Sequence, residues 1–183
     1  MTDGLWLVIG VQGAGKSTVA DGLARQFERG VHIRGGQFYR WAVSGWVHPT
    51  FEVTGEARRL LDLRYHLSAQ AAHEYCRAGF STVVQDNIFG EDVRTWLKDA
   101  NVQPSHLVVL CPSVSAVRQR DEARQKALGK VAYRPGEMSI QQLDELLATT
   151  PRIGLWPDSS DQTPKQTIDV ILARRNDAVL SAI

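Results

Sequence analysis

Residues 5–18 read LWLVIGVQGAGKST, an apolar run that leads into a glycine-rich turn ending in lysine, serine and threonine. Residues 10–17 satisfy the pattern GxxxxGK(S/T), and an amphipathic helical segment follows them. Glycines at these positions let backbone amides point at phosphate oxygens, and the start of the helix adds a favourable field. A chance glycine-rich turn is the alternative, but strand, loop and helix stand here in the order that a phosphate-binding loop requires. The stretch therefore predicts a P-loop and a nucleoside triphosphate site.

The chemistry of a P-loop assigns roles to its side chains. Lys16 is expected to bridge the β- and γ-phosphates, and the Ser17 hydroxyl is expected to ligate Mg²⁺. ATP and Mg²⁺ are thus the predicted cofactors. The predicted nucleotide-binding residues are Gly10, Gln12, Gly13, Ala14, Gly15, Lys16, Ser17 and Thr18.

Apolar runs of strand length alternate with longer helix-periodic segments along the chain. Consecutive apolar residues are typical of strands buried on both faces of a parallel sheet. The alternation predicts a single α/β domain over residues 1–183, a three-layer, doubly wound P-loop NTPase fold with a parallel five-stranded sheet and a small lid. The predicted strands are 5–9, 31–34, 81–86, 106–111 and 153–156. The predicted helices are marked by Val19, Leu23 and Phe27, by Leu60, Leu63, Leu67, Ala71 and Tyr75, by Val114, Val117 and Leu128, and by Ile171, Leu172 and Val179.

Two segments interrupt this alternation, and such inserts are where binding loops and lids are built on a rigid sheet. Approximately residues 124–138 are basic with glycine and proline, and we expect the lid there. Approximately residues 38–56 are aromatic, and we expect an acceptor-side insert there. Its large side chains either wall an apolar acceptor site or belong to the core. They are Phe38, Trp41, Trp46, His48 and Phe51.

The composition limits the possible partners. A formal net charge of +1 gives no general attraction to long nucleic acid or to an anionic membrane. No apolar run approaches the roughly 20 residues of a membrane span, and the N-terminal residues lack the pattern of a signal peptide. The two cysteines, Cys76 and Cys111, form neither a metal-binding nor a disulfide pattern. We expect a cytoplasmic protein with a small-molecule substrate; the oligomeric state is open.

A P-loop alone does not distinguish kinases, hydrolases and switches. The sequence contains no NKxD or TKxD guanine-reading motif, which weakens the case for a GTPase, and its length leaves little room for the machinery of a motor ATPase. A small phosphotransferase fits best. Such an enzyme needs an acid near the acceptor hydroxyl and arginines over the transferring phosphoryl group.

Asp86 is the candidate acid. It ends the predicted strand 81–86, and open α/β sheets bind ligands at the carboxyl ends of their strands. There it could accept the proton of the acceptor or hold a Mg²⁺-bound water. The alternative is that Asp86 or Asn87 caps a helix that starts near Glu91.

Arg120 and Arg124 are the candidate phosphate clamp. Because they are four residues apart on a predicted helix, they share a face and can converge on one anion. The alternative is a solvated charged face in which they pair with Asp121 and Glu122. The adjacent lid segment favours the clamp.

These features resemble chloramphenicol phosphotransferase and the wider group of small P-loop kinases for gluconate, shikimate and polynucleotide 5′-hydroxyls. The resemblance covers the whole chain in the order of its elements. It is carried by GVQGAGKST at residues 10–18, VVQDNIFGED at 83–92, CPSVSAVRQRDEAR at 111–124 and LWPDSSDQTPKQTIDVIL at 155–172.

The resemblance implies a transfer of phosphate from ATP·Mg²⁺ to a hydroxyl on a small molecule. In these families the strand after the first helix ends in an aspartate that acts as a base on that hydroxyl. The matching strand is residues 31–34, so the aspartate falls at Gly35 or Gly36, and neither can accept a proton. The expected acceptor-side residues are Arg34, Gly36, Phe38, Trp41 and Asp86.

Three hypotheses follow. The leading one is a small-molecule hydroxyl kinase, with an antibiotic as one candidate acceptor, in which Lys16, Asp86, Arg120 and Arg124 are catalytic. The second is a nucleoside or polynucleotide 5′-hydroxyl kinase. The third is a nucleotide-binding protein with impaired transfer that acts as a sensor or interaction module.

Overall fold

A five-stranded sheet forms the centre of the protein. The computed structural model describes residues 3–45, 47, 55–129, 133 and 138–180. The strands lie in the order β2-β3-β1-β4-β5 across the sheet. Their bounds are β1 Leu5–Gly10, β2 Gly30–Arg34, β3 Ser81–Asp86, β4 Ser105–Leu110 and β5 Val179–Leu180.

The first four strands are parallel, and β1 lies in the middle of the five-stranded sheet. It pairs with β3 on one side and with β4 on the other, and all six of its residues are buried. This explains the uninterrupted apolar run that precedes the P-loop, because a central parallel strand has no face toward water. The carboxyl ends of these strands meet at one edge of the sheet, which is where the P-loop begins.

The predicted fifth strand is wrong in place and direction. Residues 153–156 form only one parallel bridge, between Leu155 and Val108, and Leu155 is wholly covered beside β4. The fifth strand is the short β5, which runs antiparallel to the start of β4. Val179, expected on the last helix, lies in this strand. The sheet is therefore mostly parallel, and the antiparallel edge arises because the chain turns back after its last helices.

Eight helices connect and follow the strands in the part of the chain that the structure describes. The four predicted helices are present, although Phe27 lies beyond the end of the first and Val179 beyond the end of the last. Two capping boxes, at Ser139 and Thr163, start helices with a reciprocal pair of hydrogen bonds. The helices are α1 Lys16–Ala24, α2 Gly36–Arg40, α3 Gly55–Arg77, α4 Asp92–Ala100, α5 Val114–Leu128, α6 Ile140–Ala148, α7 Pro164–Ala173 and α8 Arg175–Ala178.

The N-terminal cap of α4 is Glu91, as expected for a helix that starts near this residue. Asp86 and Asn87 lie four or more residues before that position, so neither caps the helix. The capping alternative for Asp86 is therefore wrong, and the carboxylate has another structural partner.

The long helix α3 buries a different face from the one that its leucines suggest. Leu63, Leu67 and Tyr75 are 48%, 38% and 45% exposed. The buried face carries small, polar and charged residues among its apolar ones, because α3 packs closely on the sheet and on α4. These buried residues are Ala57, Leu61, Arg64, Tyr65, Ser68, Ala69 and Ala72.

Parts of both predicted inserts lie outside the described residues. Trp46, His48 and Phe51 of the acceptor-side insert are among them, as are 130–132 and 134–137 of the lid. The doubly wound, three-layer arrangement and the single-domain boundary stay predictions. In the described part of the chain no helix combines the length and the apolarity needed to span a membrane.

Candidate active site

The P-loop connects β1 to α1 and forms the floor of a cavity of about 640 Å³. Small-molecule sites span about 300–1,000 Å³, so this P-loop cavity has the right size for a nucleotide. Gly15 caps α1 with φ 95°, a left-handed conformation that a side chain would strain. Residues 12–19 line this floor. All of the predicted nucleotide-binding residues except Gly10 are therefore on its wall.

Lys16 is buried at the start of α1, with its ammonium group held by the loop itself. Its Nζ donates to the carbonyl oxygens of Gly10 at 2.8 Å and Val11 at 2.7 Å. Burial lowers the pKa of Lys16 to about 7; Asp86 opposes this shift, and Arg64 and Arg124 add to it. An anionic ligand would favour the charged form of Lys16, because it adds negative charge to a cavity in which one carboxylate faces several arginines.

The second wall of the cavity is the carboxyl edge of β2 and β3. Gly36, Gln85, Asp86 and Asn87 lie there. Asp86 is 5% exposed and is the only carboxylate among the described residues that line the cavity. The predicted position of Asp86 at a strand end next to the P-loop thus matches the structure.

Arg64 from α3 holds the Asp86 carboxylate, and the sequence reasoning missed it. Its Nε donates to Oδ2 at 3.0 Å, its Nη2 donates to Oδ1, and the backbone N–H of Asn87 donates to Oδ1 at 2.7 Å. Both charged side chains are almost completely buried. Burial lowers the pKa of Arg64, but Asp86 and two neighbouring tyrosines outweigh it and leave the pKa raised. A lone arginine within the small and apolar stripe Ala57, Leu61, Ser68 and Ala72 is the signal that could have identified it.

The same carboxylate explains one of the two glycines at the end of β2. A Cβ on Gly35 would lie 1.9 Å from Asp86 Oδ2, so no side chain fits there while the Arg64–Asp86 pair is formed. At Gly36 a Cβ would meet no heavy atom within 4 Å, and this residue lines the cavity. An aspartate was expected at one of these two positions. The space for a side chain at Gly35 is occupied by the Asp86 carboxylate, whereas the space at Gly36 is open.

Arg120 and Arg124 both line the cavity from α5, but they have different partners. Arg120 donates to the carbonyl oxygens of Ala14, Ser159 and Ser160 and so ties the P-loop to the chain before α7. Arg124 forms an ion pair with Asp121 at 2.7 Å. Its Nε is buried without a hydrogen-bond partner in the described part of the chain.

The position of Arg124 favours an anion. A Cβ on Gly13 would lie 3.7 Å from its Nη2, so the guanidinium group lies beside the P-loop backbone. A buried and unsatisfied donor is costly, and a phosphate oxygen would satisfy it. Tyr133, from the segment predicted to be a lid, donates its hydroxyl to the carbonyl oxygen of Gln12 in the P-loop.

A further wall of the cavity is formed by the segment before α7 and by the first turn of α7. The sequence analysis gave this segment no role in the site. The turn before α7 is fixed by Asp158, which accepts from the backbone N–H of Ser160 at 2.9 Å. Proline at the first position of α7 and the Thr163 cap fix where the helix begins. The wall residues are Ser159, Gln162, Pro164 and Thr167.

Three predicted acceptor-side residues lie elsewhere. Arg34, Phe38 and Trp41 are absent from the described residues that line the cavity. Trp41 is 70% exposed and contacts Phe38 edge to face, with ring centroids 4.9 Å apart. Only Gly36 and Asp86 of the five expected residues are brought to the cavity.

The residues present fit a magnesium–nucleotide complex. Ser17 lies on the floor of the cavity, and Asp86 is on its wall. Mg²⁺ at such sites is held by few protein groups together with phosphate oxygens and water. The described residues contain no cluster of three or more histidine, cysteine or acidic side chains that could hold a metal ion by themselves.

A family model described as an AAA domain matches residues 5–152, which include the P-loop, Asp86, Arg120 and Arg124. The chain belongs to this AAA domain family. No curated protein sequence matches the chain. Membership in the family establishes the P-loop fold and leaves the substrate open.

Solved structures similar to this AAA domain protein include kinases. A sugar kinase from Janibacter sp. HTCC2649 has TM-score 0.64 and 21% identity and covers 95% of each chain. The APS kinase CysC of Mycobacterium tuberculosis, in complex with AMPPNP and APS, has TM-score 0.62 and 15% identity, over 92% of this chain and 95% of that one. The tunicamycin resistance protein of Deinococcus radiodurans has TM-score 0.65 and 15% identity, over 97% and 98%. These likenesses show a shared P-loop kinase-like fold.

Proposed function

We propose that this protein is an ATP-dependent phosphotransferase that moves the γ-phosphoryl group to a hydroxyl of a small molecule. One observation carries the proposal: a single cavity joins the P-loop, the clamp arginine Arg124 and the carboxyl edge of the sheet with Asp86. Groups that neutralise phosphate charge therefore face the place where an acceptor hydroxyl would lie. ATP with Mg²⁺ would supply the activated phosphoryl group.

Positive charge and position are the main contributions of the chain to this reaction. Lys16 and Arg124 would neutralise the charge on the transferring group, and Ser17 would ligate the metal ion. Arg120 keeps the P-loop against the segment before α7, so it acts on the site by positioning. Such fixed charges need no reorganisation during the transfer, which is why they stabilise the transition state.

The role of Asp86 is orientation. Three donors already occupy its carboxylate, which leaves little capacity to take the proton of an acceptor. A phosphoryl transfer with a loose transition state requires little help from a base. Asp86 would orient Arg64 and the acceptor, and the proton would leave to solvent or to phosphate.

The test is an acceptor screen in which ATP consumption is measured with and without each hydroxyl compound and the phosphorylated product is identified by mass. We expect ADP release to rise only when a suitable acceptor is present, and Lys16→Ala to reduce that rise by about a hundredfold or more. Steady hydrolysis that no acceptor changes would contradict the proposal. If Asp86→Asn keeps a normal kcat at saturating acceptor, the orienting role of Asp86 is wrong.

A sensor is the second candidate, favoured by one observation: the only carboxylate of the described cavity wall is ion-paired with Arg64. Tight ATP binding without turnover across the panel would support it. Gly36→Asp places a carboxylate where space is open. A rise in kcat of about a hundredfold or more would mean that the present chain lacks a base, whereas no change would support transfer without one.

The finer assignments also belong to this proposal. A phosphotransferase that modifies an antibiotic agrees with the resemblance to chloramphenicol phosphotransferase and with the fold shared with a tunicamycin resistance protein. A polynucleotide 5′-hydroxyl kinase would instead bind short oligonucleotides with strong salt dependence. Screening an antibiotic set and an oligonucleotide set in the same assay separates the two.

A further inference from the structure

A second, smaller cavity opens beside the P-loop cavity and shares Arg64 and Asn87 with it. This side cavity has a volume of about 210 Å³ and lies between α3, the loop after β3 and α6. Complete small-molecule sites span about 300–1,000 Å³, so it has room for one part of a ligand. Because the two cavities share these two wall residues, they are adjacent.

One part of the side-cavity wall is apolar and consists of five side chains. Leu61 and Leu143 are buried, and Phe89, Met138 and Leu146 are half-buried against the core. They come from α3, the loop after β3, the residue before the α6 cap, and α6 itself. Such a wall gains free energy by covering apolar surface and gives no hydrogen bonds to a sugar-like ligand.

The charged groups of the wall are already paired with one another. Arg58 donates to both carboxylate oxygens of Asp92, at 2.8 and 2.9 Å, and also contacts Asp62 at 2.6 Å. Arg64 is paired with Asp86. Each arginine of this wall therefore has at least one carboxylate partner, and an incoming carboxylate or phosphate would compete with partners already in place.

The remaining polar groups suit an uncharged ligand. The Tyr65 hydroxyl is used, since it donates to the Asn87 carbonyl oxygen at 2.8 Å. The Asn87 side chain is a neutral amide where the two cavities meet, and an amide can both donate to and accept from a hydroxyl.

We propose that the acceptor is an uncharged alcohol with an apolar portion, which occupies the side cavity while its hydroxyl faces the P-loop cavity. This inference rests on the proposed phosphotransferase function and specifies its substrate class. Hydroxy acids and phosphorylated alcohols are poor acceptors, because Arg58 and Arg64, the arginines of the side cavity, already pair with carboxylates. Small polyols are poor acceptors too, because they leave the apolar wall empty.

Matched acceptors test the class directly. Mandelamide, mandelate and lactamide differ by one property at a time, the charge or the aryl group, and tropamide, tropate and hydracrylamide do the same for a primary hydroxyl. We expect ATP-dependent phosphorylation of an aryl amide to exceed that of its hydroxy acid and of the amide without the aryl group by about tenfold or more in kcat/KM. A hydroxy acid that is preferred over its amide would overturn the inference while leaving the phosphotransferase intact.

A variant places the effect in the side cavity. Leu146→Lys puts a charge on its wall and should raise KM for the aryl amides about tenfold or more with kcat little changed. Leu63→Lys is the matched control, because Leu63 is 48% exposed on α3 and does not line the cavity. Thermal unfolding of both variants detects loss of the fold, and Leu146→Met, which keeps an apolar side chain, should retain the wild-type preference.

Calorimetry with a non-hydrolysable ATP analogue makes the result independent of turnover. Binding of mandelamide or tropamide that is weakened by Leu146→Lys and unaffected by Leu63→Lys supports the inference even if no transfer occurs, in which case the proposed function alone fails. Absence of amide binding, or tighter binding of the hydroxy acids, overturns it.

Discussion

The two halves of the candidate active site are held in place in different ways. Next to β1, the P-loop binds with its backbone, and even Lys16 is held by two carbonyl oxygens of the loop. Next to β2 and β3, the site depends on an ion pair between Arg64 and Asp86, which are 22 residues apart in sequence. The first half is local and recognisable as a motif, whereas the second exists only when α3 has packed on the sheet.

The difference shows that groups at one edge of a sheet can be held in place either by backbone conformation or by a buried charge pair. Backbone groups of the P-loop are fixed by glycine conformations and by the start of α1. The half next to β2 and β3 is fixed by a buried charge pair, in which removing one member leaves the other buried and unpaired. Substitutions should therefore affect activity at the first half and the fold at the second.

The largest effect is expected from breaking the charge pair. Arg64→Met leaves the Asp86 carboxylate buried without its main partner, which should lower the free energy of unfolding by about 3–5 kcal/mol, measured by urea denaturation. Arg77→Met should change it little, because Arg77 pairs with Glu74 on the exposed surface.

The double variant Arg64→Met/Asp86→Leu sharpens this result. It removes both charges, so it should be more stable than Arg64→Met alone. A double variant as unstable as the sum of its single variants would contradict the coupling.

Lys16→Ala tests the P-loop half. We expect kcat/KM for ATP to fall by about a hundred- to a thousandfold without loss of the fold, because the alanine removes a charge that acts on phosphate. Lys165→Ala is the control, since Lys165 lies exposed on α7 and pairs with Asp169. If Lys16→Ala lowered the free energy of unfolding as much as Arg64→Met does, the proposed difference between the two halves would be wrong.

Substitutions of the adjacent glycines Gly35 and Gly36 should have a smaller effect on stability. Gly35→Ala should destabilise the protein by about 1–3 kcal/mol, because its Cβ would clash with the Asp86 carboxylate. Gly36→Ala should leave stability unchanged, since the space around it is open. Equal melting temperatures for the two variants would contradict the placement of the carboxylate.

The smallest expected effect is the uptake of protons by Lys16 when nucleotide binds. Burial holds the pKa of Lys16 at about 7 in the absence of ligand, against 10.5 for a free lysine. At a pH between these two pKa values, nucleotide binding should restore the charged form of Lys16 and therefore take up protons from the solution. The measurement is the binding enthalpy in buffers of different ionisation enthalpy. Lys16→Arg should lose this uptake because arginine stays charged, and equal uptake in both proteins would contradict the assignment to Lys16.

The sequence was sufficient for the parts of the fold that rest on local pattern. The P-loop, four parallel strands and the helices after it follow from apolar runs and glycine spacing, because a buried parallel strand and a phosphate-binding turn each need a particular local composition. The fifth strand did not follow, since residues 153–156 and β5 share the outer edge of β4, Leu155 beside Val108 and β5 beside its first two residues, and only the packed chain shows which of them forms the strand.

By itself, the sequence determined the P-loop and placed Asp86 at the end of a strand next to it. Only the tertiary structure decided what that aspartate does. Arg64 reaches it from the middle of α3, and the carboxylate fills the space that a side chain at Gly35 would need. No short-range pattern encodes this arrangement, because the two opposite charges attract each other only after α3 has packed on the sheet and brought them together away from water.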